Sequence, residues 1–176
     1  MRVIAVDPGT RESAWVAYSD GRIVAHAIEP NEEIERRFGR DDWSKDGFGA
    51  GPFDDRPIVV VFEQIESMGM AVGREVFETV FWTGRLFHAA MRICREPTRL
   101  TRRTVKVHLC NSSRAQDTNI RVALIDRFGG PDVAVGKKRS PGPLYGIVKH
   151  EWSALAIAIT WWDLHAQQPA ERQVAL

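Results

Sequence analysis

The stretch VIAVDPGT, residues 3 to 10, decides the fold prediction. Its four leading residues are apolar, as in a buried strand, and they run directly into Asp7. Pro8 and Gly9 then turn the chain sharply away. Burying a carboxylate is costly unless something pairs with it. Because open α/β folds place their binding sites at strand ends, Asp7 is a candidate functional residue.

A second apolar strand ends in the same way. The run IVVVF at 58–62 is apolar on both faces, as in a central strand, and Glu63 follows it. If the two strands are parallel neighbours, both carboxylates emerge at one edge of the sheet. Two carboxylates this close cannot both stay ionised without a cation. Their hard oxygens suit magnesium or manganese, so Asp7 and Glu63 predict a divalent-metal site.

The other predicted elements complete an α/β domain. The chain opens with a meander whose second and third strands meet at the turn SDG. We predict strands at 3–7, 13–18, 22–28, 58–62 and 103–110, and helices at 71–93, 115–127 and 149–166. Strands followed by alternating helices and strands indicate a mixed sheet covered on both faces.

The helix predicted at 71–93 carries an apolar row at four-residue spacing. The row consists of Val72, Val76, Val80 and Gly84, with Phe77 and Phe81 beside it. Such a row packs against a core or against a second copy of the chain. The glycine within it predicts a close approach of another backbone.

Charge is unevenly distributed although the whole chain is only +1. Residues 1–84 hold 9 Lys and Arg against 16 Asp and Glu, whereas residues 85–150 hold 14 against 4. This asymmetry favours a polyanion partner, most simply nucleic acid; the alternative is a solvated basic face. We expect one domain over 1–166, interrupted by an acidic insertion at 29–57 that forms a short polar helix and a mobile loop, and a tail at 167–176.

Several function classes fit VDPGT alone. One is a metal-dependent nuclease of the ribonuclease H-like fold. Another is an actin-like or sugar-kinase ATPase, but such proteins need a repeated half and a Gly-rich adenosine loop, which this sequence lacks. A third is a nucleic-acid module that keeps the fold without catalysis.

Four motifs together resemble one known family in order and spacing. They are VIAVDPGT at 3–10, VVVFEQIESMGM at 59–70, TVKVHLCNSSRAQDTNIRVAL at 104–124 and KHEWSALAIAI at 149–159. The chain resembles the RuvC family of Holliday-junction resolvases over about residues 1–165. The run at 136–160 is similar to bacteriophage-encoded members.

The resemblance implies a ribonuclease H-like fold: a five-stranded mixed sheet, its first three strands antiparallel, with helices on both faces. It implies an endonuclease that cuts branched DNA, most specifically Holliday junctions, with two Mg²⁺ ions per site (or Mn²⁺). It also implies a homodimer packed through helix 71–93. No run approaches the roughly 18 apolar residues that a membrane span needs, so we expect no membrane association and a location in the cytoplasm of a bacterium or of a phage-infected host. Flap or single-stranded DNA is the alternative substrate, and a non-catalytic DNA-binding member is the alternative class.

The same resemblance assigns roles to individual residues. Asp7 and Glu63 fall on the family's metal-binding acids, and His150 falls on the first position of its last motif. The family expects an aspartate three residues further, where this chain has Ser153, so Glu151 is the nearest replacement as a metal and catalytic residue. Where family members insert an aromatic wedge into the junction, this chain has Met68 or Met70. The expected DNA-phosphate contacts are Lys106, Arg114, Lys137, Lys138 and Arg139.

Overall fold

The strand that carries Asp7 lies at the centre of a five-stranded sheet. The computed structural model describes residues 1–40, 43, 57–66, 69 and 71–165. In it, β1 (Arg2–Asp7) pairs antiparallel with β2 (Glu12–Ser19) and parallel with β4 (Ile58–Gln64). The outer strands are β3 (Arg22–Pro30) and β5 (Thr98–Thr101), in the order β3-β2-β1-β4-β5. The predicted mixed sheet with three antiparallel opening strands is confirmed.

The turn between β2 and β3 forms where SDG predicted it. Asp20 and Gly21 have φ of 51° and 79°. Two consecutive left-handed residues are the signature of a tight hairpin turn whose twist matches the strands, and Asp-Gly is a favoured pair there. The meander at the start of the chain is therefore specified locally.

Three helices cover one face of the sheet. They are α3 (Arg102–Cys110), α4 (Asp117–Arg127) and α6 (Glu151–His165). The central one, α6, is buried without interruption from Ala154 to Trp161, because it packs against the sheet and against α3 and α4. Its alanines let the helix approach the strands closely. The starting residue of α6 is therefore fixed relative to the sheet edge.

The opposite face is covered by α1 (Asn31–Arg40) and α2 (Arg74–Ala90). Ile34 and Phe38 of α1 are fully buried, and so is Trp43, whose ring centroid lies 5.0 Å from that of Trp15. The acidic insertion predicted at 29–57 thus contributes a helix and a tryptophan to the core, not only polar surface. Its other residues between 41 and 56 lie outside the described part of the chain.

The prediction of a strand at 103–110 is wrong. The fifth strand lies earlier, at Thr98–Thr101, where it pairs with β4, and residues 102–110 form α3. The Thr101 side chain accepts a hydrogen bond from the Thr104 N–H (3.1 Å) and so starts the helix. Alternating valines imitated a strand, yet Val105 is buried and Val107 is 46% exposed.

The apolar row of α2 faces solvent. Phe77, Val80 and Phe81 of α2 are 50 to 64% exposed, and Val72, which lies just before the helix, is 49% exposed. A Cβ built on Gly84 would meet no atom of the described residues within 4 Å, so the close approach predicted there does not occur within one chain. The large apolar side chains of this row are therefore exposed in the single chain.

Between α4 and α6 the chain forms a small irregular layer. It contains α5 (Pro131–Ala134) and a two-stranded ladder of β6 (Gly136–Lys137) and β7 (Ser140–Pro141). Lys138 and Arg139 form the exposed turn of this ladder. Among the described helices, none has the length and apolar character needed to span a bilayer.

Candidate active site

The two predicted acids lie side by side. Val6 of β1 is paired with Phe62 of β4 in the parallel ladder, so the next residues, Asp7 and Glu63, leave the sheet at the same edge. Neighbouring strands are only about 4.8 Å apart. The two carboxyl groups share a hydrogen bond, and each side chain is only 12% exposed. The strand ends therefore converge as the sequence predicted.

A buried network holds the turn that follows Asp7. The Gly9 N–H donates to Ser13 Oγ (3.1 Å), and the Asn31 side-chain amide donates to the Gly9 carbonyl (3.0 Å). Ser13 in turn donates to Asn31 Oδ1 (2.5 Å). A side chain at position 9 would place its Cβ 2.3 Å from the Glu12 carbonyl oxygen, so only glycine fits. Asp7 is thus presented on a rigid turn.

The electrostatics of the pair favour a cation. Burial, and then the neighbouring charge of Asp7 and the hydrogen bond to it, raise the pKa of Glu63 to about 7. Near neutral pH the Glu63 carboxyl is therefore only partly ionised, and a divalent cation would favour its charged form. Magnesium needs only one or two protein carboxylates when waters and substrate phosphates complete its shell. The pair fits one such ion.

His150 joins the pair from the loop before α6. Its Nδ1 lies 3.2 Å from Asp7 Oδ2, and its side chain is 74% exposed. The hydrogen bond with Asp7 raises the pKa of His150. Lys149 just before it has a φ of 47°, a left-handed turn that brings the imidazole back over the sheet edge. The structure thus brings His150 to the predicted position beside Asp7, and its role as a metal ligand stays a prediction.

Glu151 does not join the site, contrary to the expectation that it is a metal and catalytic residue. It is only 4% exposed and points into the protein. Its Oε1 lies 2.9 Å from His26 Nδ1, and its Oε2 accepts a hydrogen bond from the Val148 N–H (2.7 Å). Both carboxylate oxygens are thus used in fixing the start of α6.

Arg102 lies directly beside the acids of the site, a position that the sequence interpretation did not predict. Arg102 Nη1 donates to Glu63 Oε1 (3.0 Å), and Nη2 donates to Asp117. Arg102 opens α3 directly after Thr101, which is paired with Gln64, so the residue arrives beside Glu63. The strand wrongly predicted at 103–110 concealed this. A helix starting at the Thr101 cap would have placed Arg102 at the site.

The site opens into a cleft of about 690 Å³. Asp7, Glu63 and His150 line one part of it. The rest is largely apolar and includes Ile65, Val105, Ile120, Ile147 and Trp152. Ser153 lines the same cleft without supplying a carboxylate. Within the described residues, no group of three or more His, Cys, Asp or Glu side chains is arranged to hold a metal ion.

A second, polar cleft adjoins the first and shares Arg102 and Asp117 with it. Lys106 and Arg114 line this second cleft, so the structure brings two of the predicted phosphate contacts to the site. Lys137, Lys138 and Arg139 are exposed on the β6–β7 ladder and line neither cleft. Met68 and Met70, the predicted wedge residues, lie outside the described part of the chain.

Comparison with known proteins identifies the fold. No family model matches the sequence, and no curated protein matches it significantly. The structure of Thermus thermophilus RuvC superposes with a TM-score of 0.61 at 19% identity, covering 94% of this chain and 97% of that one. Thermus thermophilus RuvC in complex with a Holliday junction substrate gives a TM-score of 0.57 at 18% identity, covering 91% and 92%. The chain therefore has a RuvC-like fold.

Proposed function

We propose that this protein is a divalent-metal-dependent endonuclease that cuts branched DNA, and Holliday junctions in particular. The observation that carries the proposal is the convergence of Asp7, Glu63 and His150 at one sheet edge, beside an open cleft. The RuvC-like fold is the second support, and one of its structural neighbours is described in complex with a Holliday junction.

The chain's own residues prepare the site for phosphodiester hydrolysis. Asp7 and Glu63 supply the hard carboxylate oxygens that a divalent cation prefers. His150 adds a nitrogen from the exposed side, held in place by its contact with Asp7. A divalent ion held by these residues would supply the activation of a water for in-line attack and the stabilisation of the leaving 3′ oxygen. The rigid Gly9 turn keeps Asp7 aligned throughout.

Basic residues around the clefts would hold the DNA backbone. Lys106 and Arg114 border the cleft that adjoins the carboxylates, where phosphates next to the scissile one would lie. Lys137, Lys138 and Arg139 extend the basic surface on the β6–β7 ladder. Arginine and lysine pair with phosphate oxygens without reading sequence, so these residues would position the junction.

We further propose a C2 homodimer packed through α2, with one nuclease domain at 1–166 in each protomer. Symmetric cutting of a four-way junction needs two active sites, and the exposed row of α2 offers an apolar surface for the second copy. The similarity of the run at 136–160 to phage-encoded proteins supports a bacteriophage-type member acting in the host cytoplasm.

The decisive experiment offers the protein four-way junction, flap and linear duplex DNA with Mg²⁺ or Mn²⁺. We expect metal-dependent paired cuts in the junction, and loss of cutting in Asp7→Asn and Glu63→Gln. Asp126→Asn, which changes an exposed aspartate on α4, is the matched control and should cut normally. Equal cutting of linear duplex would contradict junction resolution, and absence of any metal-dependent product would remove the nuclease proposal.

Two observations favour a second candidate, a DNA-binding protein that no longer cuts. Ser153 stands where the resemblance expects a carboxylate, and Arg102 occupies one oxygen of Glu63. Such a protein would bind the junction with the same affinity in wild type and in Asp7→Asn, and would release no product with any metal.

A further inference from the structure

The guanidinium of Arg102 bridges two acids at the edge of the candidate active site. One nitrogen donates to Glu63 Oε1 at 3.0 Å, and the other donates to Asp117. All three residues line the main cleft. The Arg102 side chain is 36% exposed and that of Glu63 is 12% exposed. A fixed positive charge therefore already lies against one of the two predicted metal-binding carboxylates.

The remaining ligands are too few for the two ions that the resemblance implies. When both are ionised, Asp7 and Glu63 carry two negative charges, and His150 adds a neutral or positive imidazole. Ser153 contributes no carboxylate, and both oxygens of Glu151 are engaged inside the protein. Two divalent ions would bring four positive charges to this set. The pair of carboxylates suits one ion whose shell is completed by waters and substrate phosphates, and it does not suit two.

We propose, building on the nuclease function above, that Arg102 takes the place of the second cation. One divalent ion binds at the carboxylates of Asp7 and Glu63, beside His150, and the guanidinium of Arg102 presents its charge to the phosphate bound beside that ion. Asp117 is a positioning residue that holds Arg102 in place while DNA is absent.

The chemistry of the contacts suits this role. A guanidinium is planar, permanently charged, and matches a phosphate with two parallel N–H donors. The Asp117 side chain is 74% exposed, so water competes for it and its bond to Arg102 exchanges readily. The bond between Arg102 and Glu63 is better shielded from water, because the Glu63 side chain is only 12% exposed. An incoming phosphate can therefore replace Asp117 at Nη2 while Nη1 stays anchored on Glu63.

The test counts the ions bound by the full-length protein without DNA. Mn²⁺ titrated into the wild type and followed by electron paramagnetic resonance should give one tightly bound ion per chain. Arg102→Gln removes the bridging cation and leaves Glu63 and Asp117 facing each other, so it should bind a second ion. Its first ion should bind at least about tenfold more tightly, because a charge-assisted contact no longer competes for Glu63.

Arg103→Gln is the matched control, because it removes the same charge from an exposed position one residue further along α3. It should bind one ion with wild-type affinity. Arg102→Lys keeps the charge but not the fork, so it should also bind one ion while cutting the junction more slowly. This variant keeps the proposal testable if Arg102→Gln does not fold.

Two tight ions in the wild type would overturn the proposal, and their reduction to one by Asp117→Asn would identify Asp117 as a ligand instead. An unchanged count in folded Arg102→Gln would overturn it as well. Failure of the nuclease function is seen separately, as absence of metal-dependent cutting by the wild type. If the wild type cut DNA while binding two ions, the proposed role of Arg102 would be overturned but the nuclease function would not.

Discussion

The residue next to His150 shows why adjacency in sequence is a poor guide to ligand sets. Successive residues of a helix point about 100° apart, so a neighbour of a ligand faces elsewhere. Glu151 accordingly turns away from Asp7, toward His26 and the Val148 N–H. It thereby closes the turn that carries His150. We assign it a structural role: fixing the start of α6.

This role predicts a loss of stability when Glu151 is truncated. Glu151→Ala leaves the Val148 N–H and His26 without their carboxylate, which should lower the free energy of unfolding by about 2 kcal/mol. Glu151→Gln keeps an oxygen for Val148 and should cost less. Urea denaturation measures both. If Glu151→Gln abolished Mn²⁺ binding while leaving stability unchanged, Glu151 would be a ligand after all.

At the residue scale, the sequence predicts the acids of the site better than its arginine. Asp7 and Glu63 each follow an unbroken apolar run, so their place at strand ends could be derived from pattern alone. Arg102 lies in a polar stretch where no hydrophobic period marks the boundary between β5 and α3. Its position depends on a threonine cap and on pairing between distant strands, which no local pattern encodes.

At the scale of elements, the sheet was predictable and one helix was not. Four strands are long or strongly apolar, and a clear turn joins β2 to β3. The fifth strand has only four residues, and it forms because the edge of β4 is available to pair with it. Residues 102–110 carry the alternation of a strand, but their packing is decided by the sheet face that they cover. Tertiary context therefore overrides the local pattern.

A cluster of charged side chains connects three of the helices at the end of the sheet away from Asp7. Asp163 of α6 accepts two hydrogen bonds from Arg127 of α4 (2.6 and 2.7 Å). His108 Nε2 of α3 lies 2.8 Å from the same carboxylate. Burial alone would raise the pKa of Asp163, but the bonds from Arg127 and His108 lower it below its ordinary value. The charged form is therefore the one that stabilises the fold.

The lowered pKa of Asp163 determines the pH range in which Asp163→Asn changes the free energy of unfolding. A carboxyl whose pKa falls on folding contributes its full stability above the unfolded value of about 3.8 and loses it as pH falls through the folded value. Asp163→Asn should lower the free energy of unfolding by about 1 to 2 kcal/mol near neutral pH, since Arg127 is partly screened by solvent. The difference from wild type should shrink below about pH 4.

Denaturant titrations near neutral pH and at several acidic values measure this difference. Asp126→Asn, on an exposed face of α4, is the control and should track the wild type throughout. A deficit in Asp163→Asn that stayed constant down to the lowest pH would mean that packing, not charge, holds the three helices together.

The exposed row of α2 carries the prediction of oligomeric state. Phe77 is 64% exposed and Phe81 is 56% exposed on one helix face. Introducing a charge at the centre of an apolar interface leaves it desolvated and unpaired, so Phe77→Asp should weaken the dimer by about 100-fold or more. Light scattering coupled to gel filtration measures the mass. Val24→Asp, at an exposed valine on β3, should leave the dimer intact.

A monomeric wild type, with junction DNA present, would remove the dimer through α2 and with it the symmetric two-site cut. It would not affect the proposed cutting of one DNA strand by each active site, because one chain supplies all the residues that line the cleft. The two proposals therefore fail independently.

For the molecule as a whole, positive and negative charges are concentrated in two different segments of the sequence. Residues 1–84 are strongly acidic and residues 85–150 strongly basic. The fold places the candidate carboxylates on strands from the acidic part and surrounds their cleft with helices from the basic part. DNA drawn to the basic surface would thereby be brought to the acids proposed to hold the metal.

This arrangement predicts a steep dependence of junction binding on salt. Each phosphate neutralised by lysine or arginine contributes about one unit to the slope of log affinity against log salt. Lys106→Gln and Arg114→Gln should each reduce that slope by about one, and they should weaken binding to junctions of any sequence equally. Fluorescence anisotropy with Ca²⁺ in place of Mg²⁺ measures binding without cutting.

Arg22→Gln supplies the control for that slope. Ser19 pairs with both Arg22 and Arg2, so Arg22 lies at the end of the sheet opposite Asp7. It carries the same charge and is exposed, but it lies outside both clefts. If Arg22→Gln lowered the slope as much as Lys106→Gln, the protein would bind DNA through its overall charge. If only the cleft variants lowered it, the junction backbone runs past the carboxylates, as cutting at Asp7 and Glu63 requires.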